Sequence, residues 1–192
     1  MLGIRFDVSG SAKFVRPYYV MLNKPWSGSH LLRVHRHTVP ARIPLESLAE
    51  RWLPRPEVAD GLVKGKRQDL TRFVRELRRE IVGYHNRSTV IKGLRKMFKL
   101  DEVVSEKSKR KGKGPERVIE DISAGDAEAK HVRVQWVDGR IGTAVVGEKG
   151  EVTKCVVIGE EGRDFAVERR IKGEGGSGRM EGIGERLLEG IY

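Results

Sequence analysis

The stretch LLRVHRHTVPARIPLESLAERWLP, Leu31 to Pro54, sets the fold of the first half of the chain. Leu31 to Thr38 is rich in branched and aliphatic side chains and holds no breaker, which predicts an extended strand running into a turn at Val39-Pro40. Pro44 sits where a first helical turn tolerates a missing N–H, and Leu45, Leu48, Ala49, Trp52 and Leu53 then recur at helical spacing. Pro54 and Pro56 forbid continuation, so the helix is short and bounded by proline at both ends. Burying its four large side chains is worth roughly 6–12 kcal/mol before entropy is subtracted, and so short a helix does not stand alone in water; it docks on a sheet.

Toward the N-terminus, Leu2, Ile4, Phe6 and Val8 alternate with Gly3, Arg5 and Asp7, the period of a half-buried strand, and Ser9-Gly10-Ser11 reads as a turn. Phe14 to Asn23 predicts a second strand with Pro17 near its start, so three antiparallel strands lead to the proline corner. The chain begins almost inside a strand, which reads as a truncated start or a missing N-terminal arm. Past the short helix, Arg55 to Lys66 is a connection bearing proline and glycine. From Asp69, a helix N-cap, the residues Leu70, Phe73, Val74, Leu77, Ile81, Tyr84, Ile91 and Leu94 keep helical spacing. Gly83 and Gly93 each weaken that helix by about 1 kcal/mol relative to alanine and mark places for a kink or break. Its outer face carries Arg72, Arg75, Arg78 and Arg79 with Glu76 and Glu80, and Arg72 is spaced to attract Glu76.

The 192 residues suffice for one large domain or two small ones, and a hydrophobic fraction of 38% is that of an ordinary globular chain. The sequence has neither an apolar run of membrane-spanning length nor a charged start followed by an apolar leader, so neither a span nor a secretory signal is expected. Cys155 is the one cysteine; it excludes an intrachain disulfide and argues against a cysteine zinc site, which suits an intracellular protein. The net charge of +11 is divided unevenly: 27 basic against 12 acidic residues through Val118, and 11 against 15 beyond it. Two units with different partners are expected, the basic one facing an acidic protein or nucleic acid.

Residues 101–116 form a basic linker, most plainly in EKSKRKGKGPE from Glu106 to Glu116, which cannot build a core. Its Lys107, Lys109, Arg110, Lys111 and Lys113 fit a nuclear-import signal, a DNA contact and a neutral linker alike. Val132, Val134 and Trp136 then alternate, Asp138-Gly139 is a hairpin turn, and Ile141 to Val146 returns as partner strand. Glu148-Lys149-Gly150 turns into Val152 to Ile158, a three-stranded meander to which Val118 to Ile122 can add a fourth strand. Asp164 caps a short helix through Ile171, Gly173 to Gly178 is a loop, and Met180, Ile183, Leu187, Leu188 and Ile191 line a final amphipathic helix. The fold class is α+β, with antiparallel sheets carrying helices on one face. His35 and His37, at i and i+2 on one strand with His30 nearby, form the cluster to weigh for a metal; without a carboxylate or cysteine at ligand spacing, packing and hydrogen bonding are the better reading. The glycine run lacks the Gly-Lys-Ser/Thr ending of a phosphate loop.

LRVHRHTVPARIPLESLAERWLP at Leu32–Pro54, QDLTRFVRELRREIVGYHNR at Gln68–Arg87 and HVRVQWVDGRIG at His131–Gly142 together resemble the CENP-O family of fungal inner-kinetochore proteins. The resemblance spans nearly the whole chain, and HRHTVP followed by IPLESLA and QDL-x-x-FVR-x-LRRE is its most specific part. It implies tandem RWD domains at 1–100 and 117–192, residence in the nucleus at the centromere, heterodimerisation with a CENP-P-like RWD protein, and a place in the COMA assembly with CENP-Q-like and CENP-U-like subunits. The long N-terminal arm of that family is not present in this sequence. RWD domains resemble ubiquitin-conjugating enzymes in fold, but Cys155 lies between apolar neighbours without an activating His or Asn motif, so it reads as a core cysteine. The expectation is a structural, non-enzymatic subunit with no cofactor, no membrane and no small-molecule substrate. Its partner contacts are expected from Leu187, Leu188 and Ile191 and from Arg72, Arg75 and Arg79, and any DNA contact is weak or indirect. The competing expectation, a basic nucleic-acid-binding module, lacks aromatic residues interleaved with the basic ones.

Overall fold

A computed structural model describes residues 1–10, 13, 14, 16–59, 62–64, 67–101, 118–176 and 178–189. The chain is α+β and divides into two compact units, Met1–His85 and Asn86–Tyr192.

In the first unit, β1 (Leu2–Phe6), β4 (Tyr18–Asn23) and β5 (Arg33–His37) form an antiparallel sheet with β4 at its centre. Between β1 and β4, β2 (Ser9–Gly10) pairs with β3 (Lys13–Phe14), so Ser9 and Gly10 belong to a small ladder rather than a turn. The strand expected over Phe14–Asn23 is interrupted, and its long part starts just after Pro17, whose ring nitrogen cannot donate to a ladder. The helix α1 spans Leu45–Trp52. Pro44 is its N-cap rather than its first helical residue, with its carbonyl accepting from Leu48 N–H at 3.1 Å. The connection expected after α1 contains a hairpin, β6 (Glu57–Ala59) with β7 (Leu62–Lys64), which the Asp60-Gly61 dipeptide between apolar pairs signals.

The long helix α2 runs from Leu70 to Met97 through both glycines. Asp69 Oδ1 caps it by accepting from Arg72 N–H at 2.8 Å. Its start is fastened by Gln68, whose side chain donates to the carbonyls of Leu32 and Pro54 at 2.9 and 3.0 Å and accepts from Leu32 N–H at 2.7 Å. Phe73, Leu77 and Ile81 of α2 are fully buried against Phe6, Val20 and Leu22 of the sheet, Val39 and Ile43 of the proline corner, and Leu45 and Leu53 at the ends of α1. The predicted stripe is thus the seam of the first core.

In the second unit five antiparallel strands follow the order β12-β11-β10-β9-β8: β8 (Ile119–Ala124), β9 (His131–Trp136), β10 (Ile141–Val146), β11 (Val152–Gly159) and β12 (Gly162–Arg163). The meander expected from the sequence is its middle, β8 is the added strand, and the short β12 extends the other edge. Val132, Val134 and Trp136 point inward together with Ala144, Cys155 and Val157. Gly142 is required by that core, because a Cβ there would lie 2.8 Å from the Trp136 ring. Helix α3 (Phe165–Lys172) packs on β11 and is capped by Asp164 Oδ1 accepting from Val167 N–H. The expected final helix is split: Met180–Gly182 is a 3-10 turn, and α4 covers Ile183–Leu188. Gly184 faces Leu94 and Met97, where a Cβ would come within 2.9 and 2.6 Å.

The later turns of α2 belong to this second unit, with Ile91 and Leu94 buried. Arg87, only 6% exposed, donates twice to the Glu128 carbonyl. Arg95 ion-pairs with Asp101 and Asp121. Burial opposes charge on Asp121, yet the hydrogen bonds from Arg95 and Ser123 hold its carboxyl below the usual range.

Candidate functional site

The proline-bounded helix α1 delivers Trp52 to the surface of the first unit. Two guanidinium groups lie over its ring, Arg51 at 4.9 Å and Arg72 at 5.2 Å, and its Nε1–H donates to Glu76 at 2.8 Å. The indole therefore takes the carboxylate expected to pair with Arg72, and Arg72 pairs instead with Asp69 at 3.5 Å. Arg72, Arg75, Arg78 and Arg79 are all exposed, so the stretch forms a cationic helix face next to a half-buried aromatic. On the other side of α1, a groove of about 660 Å³ runs along the edge strand β5, lined among others by Val34, His37, Leu45, Ala49 and Glu50.

The histidines do not form a ligand set. A bulge leaves His35 without a partner between Val34 and Arg36, and although His35 and His37 both line the groove along β5, no three metal-ligating side chains come together among the described residues. His37 Nδ1 lies 3.1 Å from the Val39 carbonyl, which only accepts, so the ring donates there and holds the corner.

In the second unit the outer face of the sheet is open. Ile141 pairs with Ile158 and Thr143 with Val156, and strand alternation puts these side chains opposite the buried Cys155 and Val157. Ile158 is 57% exposed and Ile141 and Val156 38% each, a contiguous apolar patch that the sequence reading did not single out. Its signal was the unbroken apolar run Cys155-Val156-Val157-Ile158, which alternation divides between two faces. Of the terminal-helix residues expected at an interface, Leu187 is spent on the unit's own core, Leu188 is partly exposed, and Ile191 lies outside the described residues. Lys107, Lys109, Arg110, Lys111 and Lys113 also lie outside them.

Cys155 is buried, and desolvation together with the nearby Glu168 carboxylate pushes its thiol up to about 12, so it is no thiolate nucleophile at neutral pH. Glu168 itself is buried and receives Arg163 at 2.6 and 2.9 Å and Val157 N–H at 3.0 Å. The hydrogen bond from Arg163 holds it below the usual carboxylate range against the pull of burial. The Asp138-Gly139 hairpin is tied to α3 by Arg140, which pairs with Asp138 at 2.7 Å and Asp164 at 2.9 Å. The glycine run serves another arginine, Arg186, whose Nε donates to Ile171 O and whose second nitrogen donates to Arg179 O. A Cβ at Gly178 would lie 2.5 Å from the Lys172 carbonyl oxygen and 3.1 Å from that guanidinium, so the backbone approach beside Arg186 requires glycine there.

Fold and surfaces define a class: an α+β protein of two units whose charged and apolar groups stand on open sheet and helix faces. No helix among the described residues is long and apolar enough to cross a membrane. The family model described as Cenp-O kinetochore centromere component matches residues 1–187, and the chain belongs to the CENP-O family. It is accordingly a kinetochore component of the nucleus, placed at the centromere. No curated protein matches the chain.

Proposed function

We propose that the chain is a non-enzymatic structural subunit which heterodimerises with a CENP-P-like RWD protein and, with CENP-Q-like and CENP-U-like subunits, holds the inner kinetochore together during chromosome segregation. In this reading the two α+β units are a tandem RWD pair. The observation that carries it is the open apolar patch of Ile141, Val156 and Ile158, aligned across two neighbouring strands. A patch of that kind on a folded unit marks a docking face, since apolar area in water is stabilised by covering it. Leu188 adds a second partly exposed apolar group, and the arginine face at Arg72, Arg75 and Arg79 offers long-range attraction for an acidic partner surface.

Co-expression with a CENP-P relative and measurement of the complex mass in solution tests this. A one-to-one complex is expected, lost when Ile158→Asp places a charge in the patch. Two separate monomers at micromolar concentration, or a complex indifferent to Ile158→Asp, count against the assignment.

A further inference from the structure

A second cavity in the C-terminal unit, of about 750 Å³, opens between α3 and the glycine loop. Four cations line it: Arg169, Arg170, Lys172 and Arg186. Basic residues in a last helical turn ordinarily answer the helix dipole and its unpaired carbonyls. Here those carbonyls are already satisfied. Gly173 N–H donates to Arg169 O and Arg170 O, Arg186 Nε donates to Ile171 O, and Gly178 N–H donates to Lys172 O. The side chains of Arg169, Arg170 and Lys172 make no hydrogen bond or ion pair among the described residues. Among the described residues two carboxylates line the same cavity: Glu168 is consumed by Arg163 and Val157, and Glu189 interacts with Arg186. Four like charges lining one concave surface raise a positive potential there that an anion relieves.

At the rim stands Phe165, 61% exposed, with the Arg163 guanidinium 4.8 Å from its ring centre. An exposed aromatic beside an anion-seeking cavity matches a ligand with carboxylates and an adjacent apolar side chain. The geometry points to a docking site for an acidic peptide segment of a partner protein, its carboxylates held by Arg169, Arg170 and Lys172 and one apolar side chain set against Phe165. The site does not rest on the heterodimer, which uses the outer face of the sheet.

The test is fluorescence anisotropy on the full chain with a labelled Asp/Glu-rich peptide carrying a single leucine. Arg169→Glu/Arg170→Glu is expected to weaken binding at least about tenfold, and Phe165→Ala or replacing the peptide's leucine by alanine about threefold. Reversal of Arg72 and Arg75 in the other unit is expected to change it less than about twofold. Circular dichroism checks that the variants fold, and the milder Arg169→Gln/Lys172→Gln serves as a second probe if reversal unfolds the unit. Equal losses from the Arg72/Arg75 reversal show a diffuse field and overturn the site. So does indifference to the Arg169 and Arg170 variants, or tighter binding of a short DNA duplex that depends on the same arginines.

Discussion

Trp52 shows how one side chain couples the two helices of the first unit. Its indole contributes burial, two cation–π contacts and a hydrogen bond to Glu76, so Trp52→Ala is expected to destabilise that unit by about 3 kcal/mol. Trp52→Phe keeps the ring and loses the Glu76 bond, costing about 1 kcal/mol. Urea unfolding curves would separate the two, and equal losses would show that the hydrogen bond rather than the ring holds the joint. At Cys155 the raised thiol predicts that a disulfide reagent leaves the native protein unmodified at pH 8 and labels it only on unfolding. Glu168, Asp138 and Asp164 are all held below their ordinary carboxylate range, chiefly by Arg163, by Arg140 and by the Val167 N–H respectively. A depressed carboxylate contributes stability that is present above its unfolded value and is lost as pH falls through its folded one. The thermal midpoint of the second unit should therefore hold near neutrality and fall below about pH 4. In Glu168→Gln that acid sensitivity should shrink, and an unchanged pH profile would remove Glu168 from the account.

At the scale of elements, much was readable because periodicity reports burial. The strand before Pro40, the stripe from Leu45 to Leu53, the Asp69 cap and the Val132-Val134-Trp136 alternation all appear where local pattern and tertiary packing agree. What escaped the reading depended on distant partners. Gln68 fastens α2 through three bonds to residues that sequence distance does not reveal, and Gly178, which reads only as loop, is required by its close approach to the Lys172 carbonyl and to Arg186. Between Leu70 and Leu94 the apolar spacing is nearly continuous, yet the boundary of the compact units falls at His85/Asn86, inside the helix. The apolar patch on the outer sheet face escaped because a run such as Cys155 to Ile158 does not say which half faces water. Gly142→Ala tests the sheet itself. The added methyl would meet the buried Trp136 ring at 2.8 Å from Cβ, and overpacking of that kind costs about 1–3 kcal/mol, readable as a lower unfolding midpoint with reduced near-ultraviolet tryptophan signal.

For the whole molecule the uneven charge and the uneven surface lead to a separable prediction about assembly. Removing residues 117–192 would strip cover from Ile91 and Leu94, which the second unit buries, so truncation would confuse unfolding with lost binding. Point variants avoid this. Val156 and Ile158 are already exposed, and a charge there should leave the fold intact while opposing an apolar contact. Arg72 and Arg75 act through water, where attraction fades beyond a Debye length of about 8 Å at physiological salt. Affinity for a CENP-P relative, measured by titration at low and at high salt, should then divide by mechanism. Val156→Asp/Ile158→Asp is expected to weaken binding at least about tenfold at both salt concentrations, because apolar burial hardly senses ionic strength. Arg72→Glu/Arg75→Glu is expected to slow association several-fold at low salt and to match the unmodified chain at high salt. Should the arginine reversal weaken the complex equally at both, those side chains sit in a dry contact and the steering assignment fails. Should the sheet variants act only at low salt, the outer face is not the apolar interface.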